Sequence, residues 1–245
     1  MDLSLWQWIL VATGAFMLGI SKSGIKGIGV FIVTLMAVVF GSKTSTGIVM
    51  PMLIVGDIFA VIYYNRHAQW KYIFILMPWM ILGVLLGVWY GMELPEQQFK
   101  QMMAVIIIAS VAIMYWWERR KSIYIPKSYI FGGVIGVMSG FTTMVGNLAG
   151  AFTNIYFLVM RLPKNNFIGT AAYLFFFINL FKLPFHIFTW ETITPDTLMI
   201  NFKVLPVQVI GLMVGVRLVH KINDNNYRKL ILILTAIGAI MIFVK

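Results

Sequence analysis

Long apolar runs alternate with short polar connections along almost the whole chain. A helix needs about 20 apolar residues to cross a bilayer, and the third, fourth, fifth, eighth and ninth runs meet that length. The first, second, sixth and seventh are shorter and carry Gly, Ser, Thr or Asn. The pattern predicts an all-α polytopic membrane protein whose ten hydrophobic segments are residues 4–20, 25–41, 45–64, 72–91, 99–117, 128–145, 148–160, 167–189, 198–219 and 228–244.

The composition favours a lipid environment and argues against several functions. Of the 245 residues, 60% are hydrophobic and 11% are charged, whereas a soluble domain carries about 25% charged residues. The chain has no cysteine, which removes disulfide and thiolate chemistry. Its net charge of +11 comes from basic residues dispersed between apolar runs, as topology signals are. We expect a lipid bilayer as a partner and no nucleic acid. The opening MDLSLWQWIL lacks a basic stretch and is interpreted as the first membrane segment, not a cleaved signal peptide.

The two halves of the chain resemble each other on either side of a charged linker. The halves are residues 1–117 and 128–245, and the linker is residues 118–127. Matched positions are Pro78 with Pro206, Gly83 with Gly211, Gly87 with Gly215, Phe99 with Tyr227, Gly47 with Gly169, Asp57 with Asn179, and Ser23-Gly24 with Ser139-Gly140. The match predicts a duplication of five segments per repeat, with chance similarity between two apolar sequences as the alternative.

The basic residues predict how the segments are oriented. When alternate connections are placed on two sides, 14 of the 19 Lys and Arg residues fall on one side, which we expect to be cytoplasmic. Both termini then lie on the non-cytoplasmic side. The matched connections GMELPEQQ and HKINDNNYRK face opposite ways. The sequence therefore predicts two inverted-topology repeats, each starting with broken or re-entrant short helices, a construction common in secondary transporters.

Each predicted repeat contains a polar break at its start. GISKSGIKGIG, residues 19–29, follows the first segment, and GVMSGFTTMVGNLAG, residues 136–150, contains the corresponding break. A helix that restarts after a break presents free N–H groups and the positive end of its dipole, which suits an anion. Close helix packing by small residues is the alternative. The candidate anion-binding residues are Ser21, Lys22, Ser23, Gly24, Lys26, Ser139, Gly140, Thr142, Thr143, Gly146 and Asn147.

Four further polar residues lie within apolar segments. Asp57 is the one acid inside such a segment, and a charge at that depth is costly and commonly functional. It is a candidate proton carrier, with a structural ion pair to Lys22 or Lys26 as the alternative. Asn179 and Lys182, with His186, share one face of the eighth segment and are candidates to line an aqueous path. For Lys182 and His186 we favour an outer-surface position.

With these motifs in place, the chain resembles the sulfite exporter TauE/SafE family of membrane permeases. The likeness rests on the duplicated architecture, the G-x-S-K-S-G-x-K-G break, the S-G-x5-G-N break and the P-x4-G-x3-G segment in each half. The resemblance implies a multi-pass inner-membrane protein that transports small anions such as sulfite, sulfoacetate and related organosulfur compounds. Many relatives have a second break closer to S-G-x-x-G-x-G-G-G, so SGFTTMVGNLAG departs from the family pattern.

We therefore expect a secondary transporter of a small anion, with proton-coupled export by alternating access. An anion channel or uniporter using the same site is the main alternative. An intramembrane enzyme is disfavoured because the chain lacks paired buried acids, cysteine and clustered histidines. We expect no cofactor and no metal, a small anionic substrate as partner, and leave a homodimer open.

Overall fold

The computed structural model describes residues 3–118, 129–224, 226, 227, 229–231 and 233. Nine of the ten expected segments are helices, which confirms the all-α prediction; the tenth segment and nearly all of the linker lie outside the fully described ranges. The helices are α1 (Leu5–Lys22), α2 (Gly29–Phe40), α3 (Ser42–Tyr64), α4 (Trp70–Met92), α5 (Glu96–Glu118), α6 (Tyr129–Gly146), α7 (Ala149–Val159), α8 (Lys164–Pro184) and α9 (Pro195–His220). A 3₁₀ turn, Asn65–His67, follows α3, and a π-helical turn, Phe185–Thr189, follows α8.

The exterior of the bundle is apolar. Large side chains such as Phe74, Trp89 and Phe202 are mostly exposed, which suits contact with lipid tails. Among the described residues, α3, α4, α6, α8 and α9 are long and apolar enough to cross a membrane. By contrast, α2 has 12 residues and α7 has 11, so neither reaches the roughly 30 Å of a bilayer core. The chain is thus a multi-pass membrane protein with two helices too short to span.

The matched helices α3 and α8 lie side by side in the centre and run antiparallel. Gly47, near the start of α3, lies against Thr192 beyond the end of α8, and Gly169, near the start of α8, lies against Tyr64 and His67. Opposite directions for matched helices are what inverted repeats require. The full arrangement of ten inverted segments stays a prediction, because the tenth is not described.

Small residues bring two further helix pairs into backbone contact. Gly83 of α4 lies against the backbone of Val137 in α6, and Gly211 of α9 lies against the backbone of Phe16 in α1. A β-carbon at either glycine would overlap those main-chain atoms, so glycine is required for the approach. In the predicted repeat α4 corresponds to α9 and α6 corresponds to α1. Each of these two pairs therefore joins a helix of one half to a helix of the other half.

These contacts correct one detail of the predicted repeat. Gly140 lies against the carbonyl of Met80, and Gly19 lies against the carbonyl of Gln208, where Met80 and Gln208 correspond in the register of Pro78 and Pro206. The structural partner of Gly140 is therefore Gly19, and the pairing of Ser23-Gly24 with Ser139-Gly140 was wrong by five residues. Glycine recurs so often in both breaks that sequence alone did not separate the two registers.

Candidate functional site

A cavity of about 100 Å³ lies where the two breaks meet. That volume accommodates a few water molecules or one small ion, since a water occupies about 30 Å³ in the liquid. Its walls come from the two breaks with the helix ends on either side of them, from α3 and from the middle of α8. The lining residues with polar side chains are Ser21, Lys22, Lys26, Thr143, Asn147, Asn154 and Asn179.

The first break covers residues 23–28 and is held open by glycine. Gly24 has φ +131° and Gly27 has φ +103°, values that favour glycine because it has no β-carbon. The chain then restarts as α2 at Gly29, and its N-cap residue, Ile28, makes no side-chain capping bond. The positive end of α2 is therefore left without a capping side chain beside the cavity, with Gly29 and Val30 in the wall.

The second break is much shorter than the sequence suggested. Helix α6 continues to Gly146, and the interruption consists of Asn147 and Leu148. Asn147 has φ +55°, a left-handed conformation that asparagine adopts more readily than most residues. The next helix, α7, starts at Ala149 without a side-chain cap. Because Ala149 and Gly150 line the cavity, two uncapped helix starts face the same space.

An ion pair joins the last residue of α1 to the central helices. Lys22 Nζ lies 2.5 Å from Asp57 Oδ1, and both side chains are buried. The other carboxylate oxygen of Asp57 accepts a hydrogen bond of 2.6 Å from Asn179 Nδ2. The structural ion pair, which was the alternative to a proton carrier for Asp57, is therefore present in this conformation, with Lys22 as the partner.

Lys182 gathers the polar groups of the second half around one ammonium. Its Nζ donates to the Thr143 carbonyl at 2.7 Å, to Asn147 Oδ1 at 2.8 Å and to Asn179 Oδ1 at 3.3 Å. Thr143 Oγ1 lies at 3.1 Å from the same nitrogen. Lys182 is completely buried and so corrects the expectation of an outer-surface position. Since it is bonded to three cavity-lining residues, it holds their side chains in place.

Positive charge exceeds negative charge around the cavity. Among side chains that the structure describes as buried, three lysines, Lys22, Lys26 and Lys182, stand against one carboxylate, Asp57. Lys26 has no carboxylate partner in the described part of the chain. Its Nζ donates to the Ser21 carbonyl at 3.3 Å and lies 5.8 Å from the centre of the Phe175 ring. Buried charge calls for compensation, and of these three lysines only Lys22 has a carboxylate partner within the described residues.

Some of the predicted site residues line the cavity and others do not. The predicted residues that line it are Ser21, Lys22, Lys26, Thr143, Asn147 and Asn179. The predicted residues outside it are Ser23, Gly24, Ser139, Gly140, Thr142 and Gly146. Asp57 and Lys182 do not line it but bond to residues that do.

The residues outside the cavity have packing or helix-internal roles in this conformation. Ser139 is fully buried within α6, and its Oγ has no hydrogen-bond partner among the described residues. Thr142 Oγ1 donates to the Met138 carbonyl of the preceding turn at 2.8 Å, and Ser23 Oγ donates to the Ile20 carbonyl at 2.8 Å. The sequence placed Ser139 and Thr142 in the second break because this part of α6 contains Gly, Ser and Thr. Packing against α4 keeps it helical.

Asn154 and Phe175 are among the lining residues that sequence reasoning missed, and one neighbouring residue was misplaced. Asn154 and Phe175 face the cavity, although Asn154 is the one asparagine inside a short apolar segment and could have been noticed as such. His186 was expected near the outer surface and is instead fully buried, with Nδ1 at 2.9 Å from Thr192 Oγ1. The described part of the chain contains no cluster of three or more His, Cys, Asp or Glu residues that could hold a metal ion.

Comparison with known proteins gives one match. A family model described as "Sulfite exporter TauE/SafE" matches residues 10–242, which includes both breaks, the cavity and the central helices. Searches of curated proteins and of solved structures found no match.

Proposed function

The chain belongs to the sulfite exporter TauE/SafE family, and from that premise we propose that it is a secondary transporter of a small anion. The substrate class is sulfite, sulfoacetate or a related organosulfur anion, moved by proton-coupled export. The permease would lie in the cell inner membrane, with both termini on the non-cytoplasmic side and the basic connections in the cytoplasm.

The observation that carries this proposal is the cavity between the two breaks. It has the size of a small ion, two uncapped helix starts border it, and more buried ammonium than carboxylate groups surround it. Helix N-termini and lysines stabilise anions by dipole and by charge. A cavity that only allowed close helix packing would not need Lys22 and Lys26 in its wall.

The hydrogen bonds indicate which groups would contact the anion. The Asn147 side-chain amide already makes two hydrogen bonds. Its Oδ1 accepts from Lys182, and its Nδ2 donates to the Thr46 carbonyl at 3.0 Å. The Asn179 amide is used by Lys182 and Asp57. These two amides therefore shape the cavity. The available donors are Lys22, Lys26, the Ser21 and Thr143 hydroxyls, and the first-turn N–H groups of α2 and α7.

Alternating access would use the repeat architecture. The central antiparallel helices α3 and α8 hold the site, and the glycine-mediated contacts of α1 with α9 and of α4 with α6 give two smooth surfaces along which one helix pair can shift against the other. Such a shift would open the cavity to one side of the membrane at a time.

Asp57 is the candidate for proton coupling. In this conformation it is paired with Lys22. If the anion draws the Lys22 ammonium toward the cavity, Asp57 loses its compensating charge and its protonated form becomes favoured in the buried environment. Binding of an anion and uptake of a proton would then be linked through one lysine.

Uptake of labelled sulfite into proteoliposomes, with and without an imposed pH gradient, tests the function. Accumulation above equilibrium that depends on the gradient is the expected result. Uptake that only equilibrates would replace the transporter by a channel or uniporter. Absence of uptake for sulfite, sulfonates and carboxylates would refute the proposal. Lys26→Met, which keeps the stem and removes the charge, is the variant expected to reduce uptake.

A further inference from the structure

Asn154 is a polar residue of the cavity whose side-chain amide makes no hydrogen bond within the described residues. It lies in α7, one turn beyond Gly150, and is 3% exposed. Its Oδ1 is buried without a hydrogen-bond partner. Within the described residues its amide nitrogen has no hydrogen-bond partner either, in contrast to the fully used amides of Asn147 and Asn179.

The position of the amide puts it beside the uncapped start of α7. Asn154 Nδ2 lies 3.7 Å from the place that a β-carbon on Gly150 would occupy. Side chains on a helix point back toward its N-terminus, so the amide and the first-turn N–H groups border the same part of the cavity. The amide nitrogen is the atom nearest that helix start, and a half-turn of the amide about its Cβ–Cγ bond exchanges Nδ2 with Oδ1. A buried acceptor without a donor is unfavourable, and after that half-turn the occupant of the cavity can supply the donor.

We propose that Asn154 is a specificity-determining residue that binds the protonated oxygen of a hydrogen oxyanion. This inference rests on the proposed anion site. The lysines and helix starts of the cavity are hydrogen-bond donors and satisfy bare anion oxygens, whereas Asn154 Oδ1 is an acceptor. An anion that carries an O–H group matches both kinds of partner. An anion of equal charge without O–H leaves Oδ1 unpaired.

Hydrogen carbonate and nitrate are matched probes for this test. Both are planar, singly charged and nearly equal in size, and hydrogen carbonate alone carries an O–H group. Competition binding to the purified full-length protein is expected to favour hydrogen carbonate by about tenfold, the contribution of one hydrogen bond. Asn154→Leu should abolish that preference, and Asn154→Ala serves as a second variant if the leucine variant does not fold.

Asn201→Leu is the matched control. Asn201 also has a buried Oδ1 without a partner, but its Nδ2 is bonded to the Thr197 carbonyl at 2.8 Å, and it does not line the cavity. Its replacement should leave the preference intact. An unchanged preference in both Asn154 variants overturns the role of Asn154 while the anion site stands. Failure of the unaltered protein to bind either probe overturns the site and this inference together.

A second, independent observation concerns two carboxylates at opposite ends of the central helices. Glu96 Oε1 and Oε2 accept hydrogen bonds from the backbone N–H groups of Ser42 and Lys43 at the start of α3, the second at 3.3 Å. Asp224 Oδ1 accepts from the backbone N–H of Lys164 at the start of α8, also at 3.3 Å. Glu96 and Asp224 match in the register that aligns Pro78 with Pro206.

Lysine side chains complete each of these contacts. Lys43 Nζ donates to the Met92 carbonyl at 3.0 Å, and Lys164 Nζ donates to the Ile222 carbonyl at 2.5 Å. Each contact therefore ties the connection after α4 or α9 to the start of α3 or α8. Because α3 and α8 are antiparallel, the two contacts lie at opposite ends of the pair, above and below the cavity.

We infer that these two carboxylate contacts, Glu96 with the start of α3 and Asp224 with the start of α8, are the latches of two opposite gates. The inference rests on the proposed alternating access. Each carboxylate stabilises the helix start by charge and by hydrogen bonding, and its release frees a peripheral connection from the central pair. Opening of one latch at a time exposes the cavity to one side.

The absence of cysteine from the natural chain permits a direct test with one introduced thiol. Ser21→Cys places a reporter in the cavity wall, and a membrane-impermeant thiol reagent is applied to one side of oriented vesicles. Glu96→Gln should raise labelling about fivefold from the side of the α3 start, and Asp224→Asn should raise it from the other side. Glu96→Asp is the second variant for the first latch.

Glu93→Gln is the control, since Glu93 lies in the connection between α4 and α5, three residues before Glu96, and makes no hydrogen bond within the described residues. Its labelling should equal that of the reporter protein alone. Increased labelling from the same side in both latch variants, or no increase in either, overturns the inference. Sulfite uptake measured in parallel shows separately whether transport itself is present.

Discussion

Asn179 Nδ2 donates a 2.6 Å hydrogen bond to Asp57 Oδ2, and the two residues occupy the same position in the two halves of the chain. Each lies well inside its helix, and the antiparallel helices bring them together at the centre of the bundle. One half contributes a carboxylate and the other a neutral amide. The two matched positions therefore differ in charge.

The first prediction concerns the charge of Asp57. Asp57→Asn leaves the buried Lys22 without its partner, which should cost about 3–5 kcal/mol of folding stability, seen as a lower melting temperature in detergent. It should also abolish the dependence of sulfite uptake on a pH gradient. The double variant Asp57→Asn with Lys22→Met removes both charges and should recover most of the stability. Gradient-driven uptake in the single variant would remove Asp57 from proton coupling.

The second prediction separates two neighbouring threonines. Thr143 lines the cavity, whereas Thr142 bonds to the preceding helical turn. Thr143→Val keeps the shape and removes a hydroxyl donor, so sulfite binding measured by calorimetry should weaken about tenfold, the value of one hydrogen bond to a charged group. Thr142→Val and Ser139→Ala should change it less than twofold. A larger effect at Thr142 or Ser139 would mean that the anion binds beside these residues, as the sequence predicted.

The third prediction concerns Lys182 as the residue that holds the cavity wall. Lys182→Met removes the shared donor of Thr143, Asn147 and Asn179, and leaving their buried acceptors unpaired should cost about 1–3 kcal/mol. The apparent KM for sulfite should rise about tenfold because the wall loses its geometry. Lys203→Met, a lysine outside the cavity that lies 5.3 Å from the Trp8 ring, is the control. An unaltered KM in the Lys182 variant would contradict this role.

The fourth prediction tests the glycine contacts. Gly140→Ala and Gly211→Ala place a methyl group against main-chain atoms of Met80 and Phe16, which cannot move aside as a side chain does. Overpacking of this kind costs about 1–3 kcal/mol, and thermal unfolding should report it. Gly29→Ala meets nothing within 4 Å and should not lower the melting temperature. Equal stability of the glycine variants would mean that the helix pairs are not closely packed.

Much of the fold followed from the hydrophobic pattern. The helix limits agree with the apolar runs to within a few residues, because lipid imposes a length on every spanning helix and polar connections mark its ends. The match of Asp57 with Asn179 was also readable, and the structure adds that they are in contact. An interruption within residues 19–29 was correctly expected, and the structure confines it to residues 23–28, where Gly24 and Gly27 adopt backbone angles that few other residues tolerate.

The detailed site could not be predicted in the same way. Ser139 and Thr142 have the composition of a break, yet they lie in a helix that packs against α4, and composition does not report packing. Lys182 was expected at the surface because an isolated lysine in an apolar segment usually extends to the interface. Its burial depends on acceptors from Thr143 and Asn147, which are distant in sequence. Asn154 became informative only once its lack of partners was visible.

The most direct test of the central claim is a crystal structure with selenite, the heavier analogue of sulfite, located by anomalous scattering from selenium. The account predicts a selenium peak in the cavity between Lys26 and Thr143, beside the starts of α2 and α7, and its loss in Lys26→Met crystals. A peak elsewhere in the bundle, or an empty cavity at saturating selenite, would contradict the claim that the two breaks form the anion site.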